Sequence, residues 1–162
     1  MSAVIKDLLP SIRAMHQVDI EAITLIERGT YDFPWSAAIF RDCLLAGYTS
    51  VVLDRDNEIV GYAIMSVAAG EAHLLNICVA PEMRGQGAGR RLLQYLLRRA
   101  RIFNAGRIFL EVRPSNTPAL GLYHAMGFEA LGLRQGYYKA QDGNEDAVVL
   151  VHHFVCADAP PT

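Results

Sequence analysis

Apolar and polar positions along the chain fall into short, alternating units. "SIRAM" has the pattern of a first strand, and "DIEAITLIERG" that of an amphipathic helix with Asp19 at its acidic start and Gly29 at its stop. "WSAAIFRDCLLAG" reads as a second helix, capped by Ser36 and ended by Gly47. Three strand-like runs follow, "TSVVLD", "EIVGYAIMSV" and "EAHLLNICVA". They are separated by Asp54 to Asn57 and then by Ala69 and Gly70, and links this short imply an antiparallel meander. From Ala88 the apolar positions Leu92, Leu93, Leu96, Leu97, Ala100 and Phe103 form the stripe of a long helix, with most of its arginines facing away.

In "RIFLEVR", Ile108, Leu110 and Val112 share one face of a strand, and Phe109, Glu111 and Arg113 share the other. A helix joins it to the preceding strand, so the two are expected to be parallel. "NTPALGLYHAMGF" predicts a helix with Thr117 as N-cap, Pro118 at the first position and Gly127 just past the end. "FEALGLRQ" and "AVVLVHHFV" close the chain as two strands, with "DGNED" in a long loop between them. The expected fold class is α+β: one domain over residues 1–162, with a mixed central sheet of about seven strands, an antiparallel meander followed by a parallel pair, and about four helices. Residues 1–10 form a lead and 157–162 a loose tail.

Composition narrows the chemistry. The chain has 162 residues, 52% of them hydrophobic, enough for one well-cored domain. A formal net charge of −2 is not that of a general nucleic-acid binder. The charge is nevertheless uneven, because seven arginines and no acid lie from Arg84 to Arg107. Cys43, Cys78 and Cys156 are odd in number and widely spaced, with no metal-ligand spacing, and are expected to be reduced and mostly buried. No metal and no membrane partner is expected. The start lacks the signature of a secretory signal, so the expected location is cytoplasmic.

The concentrated signal is "PEMRGQGAGR". Glycines at 85, 87 and 89 let the backbone curl until successive N–H groups share a concavity, and the helix behind adds its positive end. Such a nest holds phosphate. An ordinary strand-to-helix turn with a solvated basic face fits the same residues. The loop has no Gly-Lys-Ser/Thr, so it is not a Walker motif, and "GQGAGR" lacks the last glycine of a dinucleotide fingerprint.

The stretch resembles motif A of the GCN5-related N-acetyltransferase (GNAT) superfamily, Arg/Gln-x-x-Gly-x-Gly/Ala, carried here by Arg84, Gly87 and Gly89. The likeness extends over nearly the whole chain. "FPWS" (Phe33 to Ser36), "NICVAP", "LEVRPSN" and "GYY…DGNEDAVVL" are similar to the ribosomal-protein-alanine N-acetyltransferases of the RimI type, while the N-terminal lead departs from that pattern. The resemblance implies acetyl-CoA as co-substrate, its pyrophosphate gripped by the loop of Arg84, Gly85, Gln86, Gly87, Ala88, Gly89 and Arg90. It implies that the backbone of Ile77, Cys78 and Val79 pairs with the pantetheine arm from an irregular sheet edge, and that Asn116 contacts the same arm. Glu111 becomes the general base and Tyr123 the proton donor to the coenzyme sulfur. Trp35, Tyr137 and Tyr138 become walls around a peptide N-terminus, and Asp142, Glu145 and Asp146 attract a basic residue after it.

Each residue also has a plain structural explanation: Glu111 held by Arg113 or Arg84, Tyr123 as packing, Asn116 as a helix cap, 33–36 as a hydrophobic staple and 142–146 as a solvated turn. The implied acceptor is the N-terminal α-amine, with alanine first, of a small-subunit ribosomal protein. An α-amine of pKa about 8 is roughly one-tenth free at neutral pH, whereas a lysine near 10.4 is free only a few times in ten thousand. A single carboxylate meets the smaller demand more easily. A lysine or small-molecule acetyltransferase and a non-catalytic acyl-CoA-binding module are the alternatives.

Overall fold

The computed structural model describes residues 9–155; most of the N-terminal lead, Cys156 and the 157–162 tail lie outside the described residues. Seven strands hydrogen-bond in the order β1-β2-β3-β4-β5-β7-β6, and four α-helices lie between them in sequence, so the α+β fold with a mixed sheet is as expected. Packing divides the chain into two compact units: the chain up to Ser66 with Leu75–Leu96, and Val67–Leu74 with the chain from Leu97 onward.

In the first unit, β1 (Ser11–Ala14) lies antiparallel to β2 (Thr49–Arg55), which lies antiparallel to β3 (Glu58–Ala68). Asp56 and Asn57, with φ of 52° and 68°, form the tight turn between β2 and β3 that suits the right-handed twist of paired strands. Helix α1 (Ile20–Thr30) buries Ile20, Ile23, Thr24 and Glu27, one stripe at helical spacing. Gly29 is not its stop. The Tyr31 N–H still bonds to Glu27 O at 3.0 Å, and the chain turns extended only at Tyr31, because glycine weakens a helix but ends it only where a positive φ is adopted. Asp19 stands at the start of α1 as expected, but its carboxylate accepts from the Arg13 guanidinium and the His16 N–H and from no α1 amide.

Helix α2 (Ala37–Leu45) starts as expected, with Ser36 Oγ accepting the Ile39 N–H at 3.3 Å, and is followed by Gly47 at φ 76°. The core of this unit gathers Met15, Ile20, Ile23, Phe40, Cys43, Val52, Tyr62, Ile64 and Cys78. Cys43 and Cys78 are free and buried.

Strand β4 (Glu71–Val79) follows β3 through the two-residue turn at Ala69 and Gly70. Helix α3 (Ala88–Ile102) then buries Ala88, Leu92, Leu93, Leu96 and Ala100. Phe103 leaves the expected stripe: it falls beyond the helix end, 45% exposed, with the Arg99 guanidinium 5.0 Å from its ring centre.

In the second unit, Glu71–Leu74 of β4 pair in parallel with β5 (Arg107–Val112), as the intervening helix requires. Helix α4 (Thr117–Ala125) is capped by Asn116, whose side chain accepts the Ala119 N–H at 3.3 Å; Thr117 is already its first residue. Pro at the second position fits, since both first-turn N–H groups lack helical partners. Gly127, at φ 90°, follows the helix. Strands β6 (Glu129–Ala140) and β7 (Gly143–His153) form a long hairpin, with β7 antiparallel to both β5 and β6. The long loop expected around "DGNED" is absent, because Tyr138↔Glu145, Lys139↔Asn144 and Ala140↔Gly143 pair and leave only Gln141 and Asp142 between the strands.

Candidate active site

The loop after β4 begins with a single 3-10 turn, Pro81–Met83. Gly85 and Gly87 adopt φ of 74° and 80°. A Cβ built on either meets nothing within 4 Å, so glycine is needed there for backbone conformation and not for space. Gly89 is already helical. The first α3 bond reaching back into the loop is Arg91 N–H to Gly87 O at 3.0 Å, so the amides just before it are first-turn donors with no helical acceptor. This donor set, at the positive end of a helix, suits a diphosphate. Two side chains stay close to the loop itself: Arg84 Nε lies 3.4 Å from Val79 O, and Gln86 Nε2 donates to Glu82 O at 2.9 Å.

The recorded β4–β5 register ends at Leu74↔Leu110, whereas β4 runs on to Val79. Ile77 O accepts the Tyr31 hydroxyl at 3.4 Å. The Cys78 thiol is buried, 3.8 Å from Thr30 Oγ1.

Trp35 sits on the loop before α2. Its ring packs on Phe40 at 5.3 Å, and its backbone N–H donates to Glu27 Oε2 at 2.9 Å. Glu27 is 2% exposed and also accepts the Tyr62 hydroxyl at 2.6 Å and Asn76 Nδ2 at 3.1 Å, both on Oε1. Burial comes first among the causes that push the Tyr62 phenol far above its ordinary range.

In the second unit, the Glu111 side chain is 4% exposed. His73 Nε2 lies 2.6 Å from its Oε2. Its other oxygen, Oε1, makes no hydrogen bond, although Arg134 Nη1 stands 3.3 Å away. Neither arginine named from the sequence holds it. Arg84 lies by Val79 O; Arg113, beyond the end of β5, donates to Glu145 Oε2 at 3.1 Å and Lys139 O at 2.9 Å and stacks 4.4 Å over Tyr138.

The hairpin tyrosines lie by Glu111, through its main chain. Tyr138 donates its hydroxyl to Glu111 O at 2.7 Å, and Tyr137 meets Tyr138 edge-on at 4.8 Å. Burial, chiefly, and then the Glu111 charge raise the Tyr137 phenol. Tyr123 on α4 is 6% exposed, tilted against Phe128 at 5.6 Å, and burial pushes its phenol well above the ordinary range, so the hydroxyl keeps its proton near neutrality. Asn116 has the capping role already described. Two of the three acids expected to attract a basic residue have internal partners: Glu145 accepts from Arg113 and from the Ser115 N–H, and Asp146 accepts the Gly136 N–H at 2.9 Å, while Asp142 lies in the two-residue turn of the hairpin.

His73, Arg134 and Glu27 were not anticipated. For His73 the signal lay in register: its parallel neighbour is Phe109, on which it stacks at 4.3 Å, and two residues further along that face is Glu111. The run of residues cannot supply that register.

The acetyltransferase (GNAT) family pattern matches residues 17–128. The [ribosomal protein bS18]-alanine N-acetyltransferase of Escherichia coli (strain K12) is 34% identical over 140 residues, covering 86% of this chain and 95% of that protein. That of Haemophilus influenzae has the same identity and coverage. The crystal structure of the ribosomal-protein-S18-alanine N-acetyltransferase from Escherichia coli superposes with a TM-score of 0.87 at 32% identity, covering 95% of this chain and 99% of that one. The chain therefore belongs to the acetyltransferase (GNAT) family, whose members use acetyl-CoA, and groups there with the ribosomal-protein-alanine N-acetyltransferases.

Proposed function

We propose that this protein transfers the acetyl group of acetyl-CoA to the N-terminal α-amine of a ribosomal protein beginning with alanine, the counterpart of bS18, acting in the cytoplasm as one catalytic domain over 1–162. The observation that carries this reading is the Glu111 carboxylate, buried, with Oε2 engaged by His73 and Oε1 facing Arg134 at 3.3 Å without a hydrogen bond. That oxygen keeps hydrogen-bonding capacity, and the ammonium of an incoming peptide, through one water, is a donor that would use it.

In this reading the amides and positive helix end at Arg84–Arg90 hold the diphosphate, and the main chain of Ile77, Cys78 and Val79 lies along the pantetheine arm, with Asn116 beside it. Trp35, Tyr137 and Tyr138 wall the peptide. Glu111 takes one proton from the ammonium. The freed nitrogen attacks the thioester carbonyl carbon and forms the C–N bond. As the C–S bond breaks, Tyr123 gives its phenol proton to the departing thiolate. The phenol recovers the second nitrogen proton, and Glu111 returns its proton to solvent. Burial keeps this phenol protonated before the reaction, so its proton is in place when the thiolate forms.

The test compares peptides beginning with alanine, free or blocked at the N-terminus, with lysine-bearing peptides and polyamines. Turnover of the free alanine peptide alone supports the proposal; equal turnover of blocked lysine peptides overturns the choice of acceptor.

A further inference from the structure

Glu27 is one of the few charged side chains that the first unit buries. Its place in the α1 stripe would be filled as well by an apolar residue, so the acid needs another reason. Among the described residues it has no cationic partner. Three donors take that place, each from a different segment: the Trp35 N–H from the loop before α2, the Tyr62 hydroxyl from β3 and the Asn76 amide from β4. Pro34 has no N–H to give, so the Trp35 amide is the donor by which this part of the loop is tied down. Asn76 directly precedes the β4 residues that the proposed function sets along the cofactor.

We infer that Glu27 is a positioning residue for acceptor binding: its carboxylate fixes the 33–36 loop relative to the β4 segment at 76–79. The inference rests on the proposed role of Trp35 at the acceptor. It predicts a split between the two substrates, since the loop carries the peptide and the glycine turn carries the cofactor. Glu27→Met keeps the length and packing of the side chain and removes both acceptor oxygens. Glu27→Gln keeps one carbonyl for the loop amide, because the Tyr62 hydroxyl can rotate and the Asn76 amide can turn its oxygen to accept from the new amide group.

Trp35 is the single tryptophan of the chain, so its fluorescence reports on the loop without any substrate. Glu27→Met is expected to raise the KM for an alanine-starting peptide about tenfold, leave the KM for acetyl-CoA unchanged and open Trp35 to acrylamide quenching; Glu27→Gln is expected to recover most of both effects. If Glu27→Met does not fold, Glu27→Met with Tyr62→Phe removes the orphaned hydroxyl and carries the same expectations. Lowered thermal stability with Trp35 quenching unchanged overturns the inference. Increased quenching with an unchanged peptide KM instead places the failure in the acceptor role given to Trp35.

Discussion

Replacing Glu111 by glutamine removes a proton acceptor and almost nothing else. The amide oxygen can still receive a hydrogen bond from His73. The charge lost is also the partner of Arg134, whose side chain is 51% exposed and can turn its guanidinium to water when the pair is removed. The variant should fold and bind acetyl-CoA as the parent does. Its kcat at neutral pH should fall by about 10²- to 10⁴-fold, the span of a positioned general base, or roughly 3–5 kcal/mol of barrier.

The deficit should also depend on pH. An α-amine of pKa about 8 loses its proton unaided as the medium becomes alkaline, so the variant regains up to about tenfold between neutrality and pH 9 while the parent gains less. The assay is steady-state turnover of an alanine-starting peptide across that range, with thermal melting and acetyl-CoA affinity as controls. A variant within about threefold of the parent at neutral pH would place the base elsewhere.

Other expectations follow from single features. Gly87→Ala forces a side chain into a left-handed conformation at a strain of about 1–2 kcal/mol; if the loop relaxes to another φ, acetyl-CoA should bind roughly tenfold more weakly by calorimetry, with peptide KM unchanged. Tyr123→Phe keeps the buried ring and removes only its hydroxyl, so kcat should drop about 10²-fold or more with little change in melting temperature. The bidentate bond from Arg13 holds the Asp19 carboxyl below its ordinary range, so its stabilisation is full above about pH 4 and fades as pH falls through the lowered value. Arg13 also donates to Asp54 at 2.8 Å, so urea unfolding of Arg13→Gln, which breaks both pairs, should show a loss of about 2 kcal/mol at neutral pH that shrinks on acidification; an equal loss at both pH values would contradict this.

Helix stripes, the meander and the parallel entry of β5 were legible because period and connection length determine them locally. What failed had a local ambiguity decided by tertiary bonds. Gly29 carries a glycine's usual stop signal, yet the helix runs one residue further through Tyr31 N–H. Asn116 and Thr117 are both good caps, and the bond from the Ala119 N–H selects the first. "DGNED" has turn composition, but Glu145 bonds Arg113 and Ser115 beyond β5, Asp146 bonds Gly136 across the hairpin, and the strands pair almost to the tip. The glycine turn was readable because the needed φ values leave a compositional trace. His73 and Glu27 were not, because a strand register and a buried acceptor for three distant donors leave none.

The central claim is acetyl transfer to the α-amine of one ribosomal protein. Mass spectrometry of the small-subunit ribosomal proteins from host cells with and without this gene tests it directly. The account predicts one protein beginning with alanine that is acetylated at its first residue when the gene is present and free when it is deleted. Unchanged N-termini, with differences confined to lysine side chains, would contradict it.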